Sequence, residues 1–376
     1  MLLLVLRVIA FFGGVYIVTS TLLSALQTFV LPRAANVRIS RFAFGATRLV
    51  LDTMAGRNAQ YEKRDRLLAF LAPVGLVALP GIWLLAVFVG FALIYWGLGI
   101  DPAGQAVLLS GSSLFTLGFE KPDAHGFYLV LLLTFGEATI GLGLLALFIS
   151  YLPTIYAGFS RRETAVSMLE AMAGSPPSPV VMLKRHYRIH GLDRLEATWR
   201  RYQEWFADIE ESHTSLAPLV FLRSPQSQQS WVTTAGCIMD AAALLSSSLD
   251  VPRSPDAELC IRAGFIALRR IADFFGVSYD VDPQPADPTS VSREEFDIAY
   301  DDLAAAGVPM KPDRDGAWRA FNGWRVNYDT VLLHLAGLTA APPASWSGDR
   351  AIPYSHPPLR SFLVRRRVGP PAALER

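Results

Sequence analysis

Long apolar stretches separated by short polar segments dominate the N-terminal part of the chain. They run from about Val8 to Leu31, from Leu68 to Ile100 and from Phe127 to Leu152. Each exceeds the roughly 20 apolar residues that a helix needs to cross a bilayer. The pattern predicts three membrane-spanning helices, the first within residues 1–32. That stretch is longer than a signal-peptide core of about 7–15 residues, so we favour a retained span over the alternative of a cleaved signal.

The segment between the second and third stretches is different in character. The run from Pro102 to Phe115 is weakly polar and too short to span a bilayer, but it suits a half-length helix that enters the membrane and stops. Such backbone is tolerated at membrane depth only where protein buries it or water lines it. We therefore expect a two-helix pore domain over residues 68–159, with a re-entrant loop at 102–122.

After this region, apolar residues recur at helical spacing among charged ones, which predicts a helical domain over residues 160–341. A Ser- and Pro-rich linker lies at 174–179, and a Pro- and Arg-rich tail covers 342–376. Helices are expected at about Arg194–Glu211, Ser230–Leu249, Glu258–Phe275, Arg293–Ala306 and Trp318–Leu338.

The positive charges predict the orientation in the membrane, because Lys and Arg accumulate in short cytoplasmic loops. Between the first two spans lie Arg33, Arg38, Arg41, Arg48, Arg57, Lys63, Arg64 and Arg66. The stretch between Asp101 and Gly126 carries only Lys121, whereas Arg161 and Arg162 follow the last span. We expect the re-entrant loop outside the cell and the helical domain in the cytoplasm. Residues 33–67 would form a basic cytoplasmic linker, amphipathic at the membrane surface between Arg38 and Asp52.

Composition fits a chain that is part membrane and part soluble, with 52% hydrophobic and 18% charged residues. The net charge of +1 gives no indication of nucleic-acid binding. Cys237 and Cys260 lack a CxxC partner and are expected to be reduced structural thiols. His186, His190 and His213 form no recognised zinc motif and are expected to be solvated or capping residues. No catalytic motif is present, so we expect no enzyme activity and no cofactor.

The five residues after the half-length helix are Thr116, Leu117, Gly118, Phe119 and Glu120. They resemble the Thr-Val-Gly-Tyr-Gly selectivity filter of potassium channels. The stretch from Leu68 to Glu163 is similar to the bacterial potassium channels that have two transmembrane helices and one pore loop, here with an extra N-terminal span. In that family, Glu or Gln near position 137 and Gly four residues later also recur.

The resemblance implies a role for each filter residue. Backbone carbonyls and the Thr116 hydroxyl would replace the hydration shell of the permeant ion, K⁺ or alternatively Na⁺. Gly118 would provide the backbone freedom, while Leu117 and Phe119 would pack outward against the pore helix. Glu120 departs from the family by replacing the second filter Gly. A left-handed conformation there would cost roughly 1–2 kcal/mol, and four carboxylates at the outer mouth would attract cations without choosing K⁺.

An acidic residue, Glu137, lies within the third apolar stretch, where an ionisable group indicates a functional role. In one placement it lies behind the filter, hydrogen-bonded to Ser112, Ser113 or Thr134, and supports the filter's shape. In the other placement it faces the cavity and concentrates cations. We favour the first, because buried polar groups usually have satisfied partners.

The third span also contains candidates for a gate. Gly141 and Gly143 match the hinge region of the resembling family, although close helix packing explains small residues equally well. Pro153 would mark the cytoplasmic constriction or a kink.

These features together predict an all-α membrane protein that forms a potassium-channel-type pore. One loop per chain requires a homotetramer. The expected location is the bacterial plasma (inner) membrane, multi-pass in the lipid bilayer, with an unidentified cytoplasmic ligand for the helical domain. The alternatives are a nonselective cation channel, or a membrane-anchored sensor or scaffold with a vestigial pore.

Overall fold

A computed structural model of the chain describes residues 1–29, 47, 50, 53–54, 66–120 and 128–353. Within these ranges the secondary structure is helical, with one isolated bridge between Leu249 and Met310 and no strand. Most of the predicted linker at 33–67, the loop end at 121–122 and the tail from 354 onward lie outside the described residues.

Among the residues that the structure describes, three helices are long and apolar enough to cross a membrane. They cover Leu2–Thr28, Arg66–Gly97 and Tyr128–Ala173, with mean hydropathies of 2.3, 2.5 and 2.0. This confirms the prediction of a helical chain with three candidate membrane spans. The contact pattern divides the chain into two compact units, residues 1–50 with 70–156 and residues 51–69 with 157–376.

The described residues of the first unit include the following helices. They are α1 (Leu2–Phe29), α2 (Leu71–Gly97), α3 (Ala103–Leu114) and the N-terminal part of α4 (Tyr128–Ala173). Their core includes the fully buried Trp83, Tyr95 and Val130.

Helices α1 and α2 are antiparallel. Gly14 packs so closely against Gly90 that a β-carbon added to Gly14 would overlap the Gly90 carbonyl oxygen. Nearer the other end of the pair, the Trp83 indole donates to the Ser24 hydroxyl at 3.3 Å. Arg7, at the start of α1, pairs with Asp101, just after α2. The beginning of α1 therefore lies at the same end as the loop that enters α3.

The second unit is a helical bundle with its own apolar core. After the end of α4 come α5 (Pro179–His190), α6 (Leu195–Ser215), α7 (Trp231–Ser248), α8 (Pro255–Phe275), α9 (Arg293–Ala305), α10 (Arg314–Arg325) and α11 (Asp329–Thr339), with short 3-10 turns at Leu192–Arg194, Ala217–Phe221 and Gly348–Arg350. Serine and aspartate side chains cap several of these helices, as expected for such N-termini. Ser292 and Glu295 form a complete capping box at α9.

One predicted helix in this unit is wrong. The segment Trp318–Leu338 forms two helices, which end and begin around Asn327. The Asn327 amide donates to the carbonyls of Gly323 and Trp324 at 2.9 and 3.3 Å and so satisfies the end of α10. The Arg269 guanidinium also donates to the Asn327 carbonyl, at 3.1 Å, which fixes the turn.

Two arginines are fully buried among the described residues of the second unit. Arg325 bonds both carboxylate oxygens of Asp240, at 2.7 and 2.8 Å, and also bonds Asp329 at 2.7 Å. Burial alone would lower the pKa of Arg325, but the charges of Asp240 and Asp329 more than offset this and raise it. The guanidinium therefore stays charged, held by carboxylates from two helices.

Arg162 is the second buried arginine, and it lies on the C-terminal part of α4. Its guanidinium bonds Glu163 at 2.8 Å and donates to the carbonyls of Leu219 and Leu222 at 2.6 and 2.7 Å. The expectation that His213 is solvated is wrong: its ring is fully buried, 3.4 Å from Arg162, and burial lowers its pKa well below the usual value.

Candidate functional site: the loop after the half-length helix

The site is a turn at residues 115–120 that follows α3. Pro102 precedes this helix in an extended conformation, which suits a residue outside a helix N-terminus. The helix ends at Leu114, and its last hydrogen bonds continue into the turn. The amides of Thr116 and Leu117 donate to the carbonyls of Ser113 and Ser112, at 3.1 and 2.9 Å. The start of the loop is therefore fixed by the helix itself.

The sign of φ alternates along this turn. It is positive at Thr116 (54°) and Gly118 (73°) and is not positive at Leu117, Phe119 or Glu120. Left-handed backbone conformations thus occur at alternate positions, Thr116 and Gly118. Gly118 adopts this conformation without strain, as expected, whereas a β-branched residue such as Thr116 does so at a cost. The strained left-handed backbone conformation that we considered for Glu120 occurs at Thr116 instead.

Glu120 is tied to α3 through both its backbone and its side chain. The Ser112 hydroxyl accepts from the Glu120 amide at 3.0 Å and lies 3.3 Å from the Glu120 carbonyl, to which it donates. Gln105, nearer the start of α3, donates its side-chain amide to the Glu120 carboxylate at 3.2 Å. These bonds close residues 112–120 into a compact loop.

The side chains of Thr116, Leu117 and Phe119 are exposed in the part of the chain that the structure describes. Leu117 is 52% exposed and Phe119 is 83% exposed, and Thr116 and Gly118 are exposed as well. In the described part of a single chain these two side chains are not covered by the pore helix. Their packing in an assembled pore stays a prediction.

Glu137 is fully buried behind the loop, among three helices. Its carboxyl oxygens lie 2.5 Å from the Ser110 hydroxyl of α3 and 2.8 Å from the Tyr95 hydroxyl of α2. The three partners proposed from the sequence bond elsewhere: Ser112 to Glu120, Ser113 to the Leu109 carbonyl and Thr134 to the Leu131 carbonyl. The buried, hydrogen-bonded placement is the one observed, but through different residues.

The candidate gate residues occupy different environments in α4. Gly141 lies against the carbonyl of Leu114, where a methyl group would overlap the end of α3. Gly143 has open space where a side chain would be, and α4 continues through Pro153. Gly141 thus allows α4 to pack closely on α3, and the hinge role of Gly141 and Gly143 stays a prediction.

Sequence reasoning missed Tyr95, Ser110 and Gln105, which hold Glu137 and Glu120. The available signal was the presence of single hydroxyl and amide groups in otherwise apolar segments, where polar side chains need partners. Which of several nearby serines faces Glu137 depends on the rotation of α3, and composition does not determine that.

The described part of the chain contains no reactive cysteine and no cluster of metal-binding side chains. Cys237 and Cys260 are buried and free, and burial raises the pKa of both thiols, which keeps them in the unreactive protonated form. Among the described residues, no group of three or more His, Cys, Asp or Glu side chains is arranged to hold a metal ion.

Comparison with known proteins gives no relative for this chain: no protein-family model, curated protein or solved structure matches it.

Proposed function

We propose that this chain is the subunit of a potassium-conducting cation channel whose filter is formed by Thr116 to Glu120. The observation that carries the proposal is the fixed turn after a half-length helix, enclosed between two helices of membrane-spanning length. In this proposal the backbone carbonyls of the turn, which has left-handed residues at alternate positions, would replace a cation's hydration shell.

A homotetramer is part of this proposal. Each chain contributes one loop, and a central ion path lined by identical loops requires closed symmetry. The exposed side chains of Leu117 and Phe119 are suited to contact a neighbouring subunit, since large apolar groups are rarely left uncovered at a functional loop. Four subunits give the geometry of the potassium-channel family that the loop resembles.

Glu120 determines how selective the pore would be. Gln105 and Ser112 hold its carboxylate and backbone at the outer end of the loop. A ring of four such carboxylates attracts cations of either kind, so the inner residues from Thr116 to Phe119 must provide any preference for K⁺. A nonselective cation channel that also admits Na⁺ is the alternative that Glu120 favours.

The second unit would serve assembly or gating in the cytoplasm of a bacterial cell, beneath the inner membrane. Two observations support this: the excess of Lys and Arg on that side of the spans, and the continuity of α4 from Tyr128 to Ala173. The size of this bundle and its separate core also favour a second candidate, a membrane-anchored sensor or scaffold in which the pore is vestigial.

The proposal is tested by cation flux into liposomes that contain the purified protein. Gly118→Asp introduces a side chain at positive φ and a charge in the ion path, so it should abolish flux while tetramers persist on crosslinking. Gly81→Ala is the matched control, because Gly81 lies in helix α2 with open space around it. Unchanged flux in Gly118→Asp would remove the filter assignment, and absence of flux in the wild type would favour the scaffold.

A further inference from the structure

The Ser110 hydroxyl in α3 has two acceptors within reach and only one proton. Its oxygen lies 2.9 Å from the Phe88 carbonyl of α2 and 2.5 Å from a carboxyl oxygen of Glu137 in α4. The other carboxyl oxygen lies 2.8 Å from the Tyr95 hydroxyl. Three hydrogen-bond contacts therefore connect Tyr95, Glu137, Ser110 and the Phe88 carbonyl in series.

The number of protons in this hydrogen-bonded series determines whether Glu137 is charged. Three hydrogen bonds require three protons, and the two hydroxyl groups supply only two. The last acceptor is a backbone carbonyl, which has no proton to give. If Glu137 were ionised, one link would bring two acceptor oxygens together without a hydrogen between them.

We propose that Glu137 is protonated in the folded protein and acts as a neutral hydrogen-bond donor that positions the pore helix. Its O–H donates to Ser110, Ser110 donates to the Phe88 carbonyl, and Tyr95 donates to the second carboxyl oxygen. Every donor and acceptor is then used once. The 2.5 Å distance alone decides nothing, because short O–H···O bonds occur with neutral and ionised carboxyl groups.

The surroundings of Glu137 agree with a neutral acid. Its side chain is fully buried. Helix α3 carries no ionisable side chain, α2 contributes only Tyr95, and α4 offers no other ionisable group between Tyr128 and Tyr151. A buried carboxylate without a cationic partner is costly, and protonation removes that cost.

The consequence for the pore rests on the function proposed above. Ser110 lies two residues before Ser112, which holds the Glu120 end of the loop. The protonated carboxyl thus fixes the rotation of α3 and, through it, the position of the filter. Glu137 is a positioning residue that does not contact the permeant ion.

Infrared spectroscopy of the full-length protein tests the protonation without requiring ion flux. At neutral pH, the difference spectrum of wild type minus Glu137→Gln should contain the carbonyl stretch of a protonated carboxylic acid, shifted in D₂O. A difference made up only of carboxylate bands would overturn the proposal. Labelling the wild type with ¹³C-glutamate gives the same information should the variant fail to fold, and it separates Glu137 from aspartates such as the buried Asp240.

Flux measurements test the positioning role separately. Gln accepts from Tyr95 and donates to Ser110, as the neutral acid does, so Glu137→Gln should retain flux and Glu137→Ala should lose it. Equal loss in both variants would overturn the positioning role. A wild-type protein that carries no ions at all would refute the channel, while the infrared result would still decide the protonation.

Discussion

The Ser112 hydroxyl lies 3.0 Å from the amide nitrogen of Glu120 and 3.3 Å from its carbonyl oxygen. One side chain of α3 thus satisfies both backbone groups of Glu120. Where the filter that this loop resembles has its second Gly, the arrangement holds a non-Gly residue without a positive φ. The conformation of this end of the loop depends on it.

Ser112→Ala should reduce the discrimination between K⁺ and Na⁺. The substitution removes two hydrogen bonds, each contributing about 0.5–1.5 kcal/mol, and frees the Glu120 end of the loop. The measurement is the ratio of K⁺ to Na⁺ flux in liposomes. Ser20→Ala is the control, since the Ser20 hydroxyl bonds only the Ile17 carbonyl of its own helix. An unchanged ratio in Ser112→Ala would show that the loop is held by other contacts.

Thr116→Val should lower flux and alter ion preference while the oligomer stays intact. Val has the same shape and the same cost at φ 54° as Thr, so only the hydroxyl that would face the ion is lost. Thr116→Ser keeps the hydroxyl and should conduct. If Thr116→Val matches the wild type in both flux and ion preference, the hydroxyl is not part of an ion site.

Arg162→Met should destabilise the protein by about 3–5 kcal/mol, because it leaves Glu163 buried without its cation and two carbonyls without donors. Thermal unfolding in detergent measures the effect. Arg161→Met is a neighbouring control: the Arg161 side chain is 56% exposed and pairs with Asp208, which is worth about 0–1 kcal/mol. Similar losses of stability in the two variants would contradict the assigned role of Arg162.

The free energy of unfolding should decrease as the pH is lowered, and His213 should account for part of this decrease. Burial, followed by the charge of Arg162, lowers the pKa of His213 in the folded state. The unfolded chain, with a His pKa of about 6.5, therefore binds one more proton below that pH. The contribution of His213 is complete above pH ~6.5 and decreases by up to about 1.4 kcal/mol for each pH unit below it.

The comparison is between the wild type and His213→Asn, each unfolded by denaturant at several pH values between 7 and 5. The wild type should lose more stability over this range than the variant, since only the wild type takes up the additional proton on unfolding. Parallel curves for the two proteins would mean that His213 is already protonated, or accessible, in the folded state.

The sequence was sufficient to predict the three apolar helices and the half-length helix at Pro102–Phe115, because span length and polarity are local properties. It was insufficient for the partners of Glu137. Ser110, Ser112 and Ser113 are close along the chain, and only the rotation of α3 against α2 and α4 brings Ser110 to the carboxyl group.

Burial in the second unit was equally difficult to predict. Arg162 lies in a basic stretch typical of a cytoplasmic membrane boundary, and His213 lies among charged residues of an amphipathic helix. The 3-10 turn Ala217–Phe221 presents its Leu219 carbonyl to the buried Arg162, and the buried His213 lies beside Arg162 and Trp231. These contacts are non-local, so neither charge nor periodicity indicates them.

The most direct test of the channel assignment is the reversal potential of purified protein in planar bilayers, with K⁺ on one side and Na⁺ on the other. We predict a current that reverses close to the potassium equilibrium potential. A robust current that reverses near zero would contradict potassium selectivity and identify a nonselective cation pore. Absence of any current above that of protein-free bilayers would contradict the channel itself.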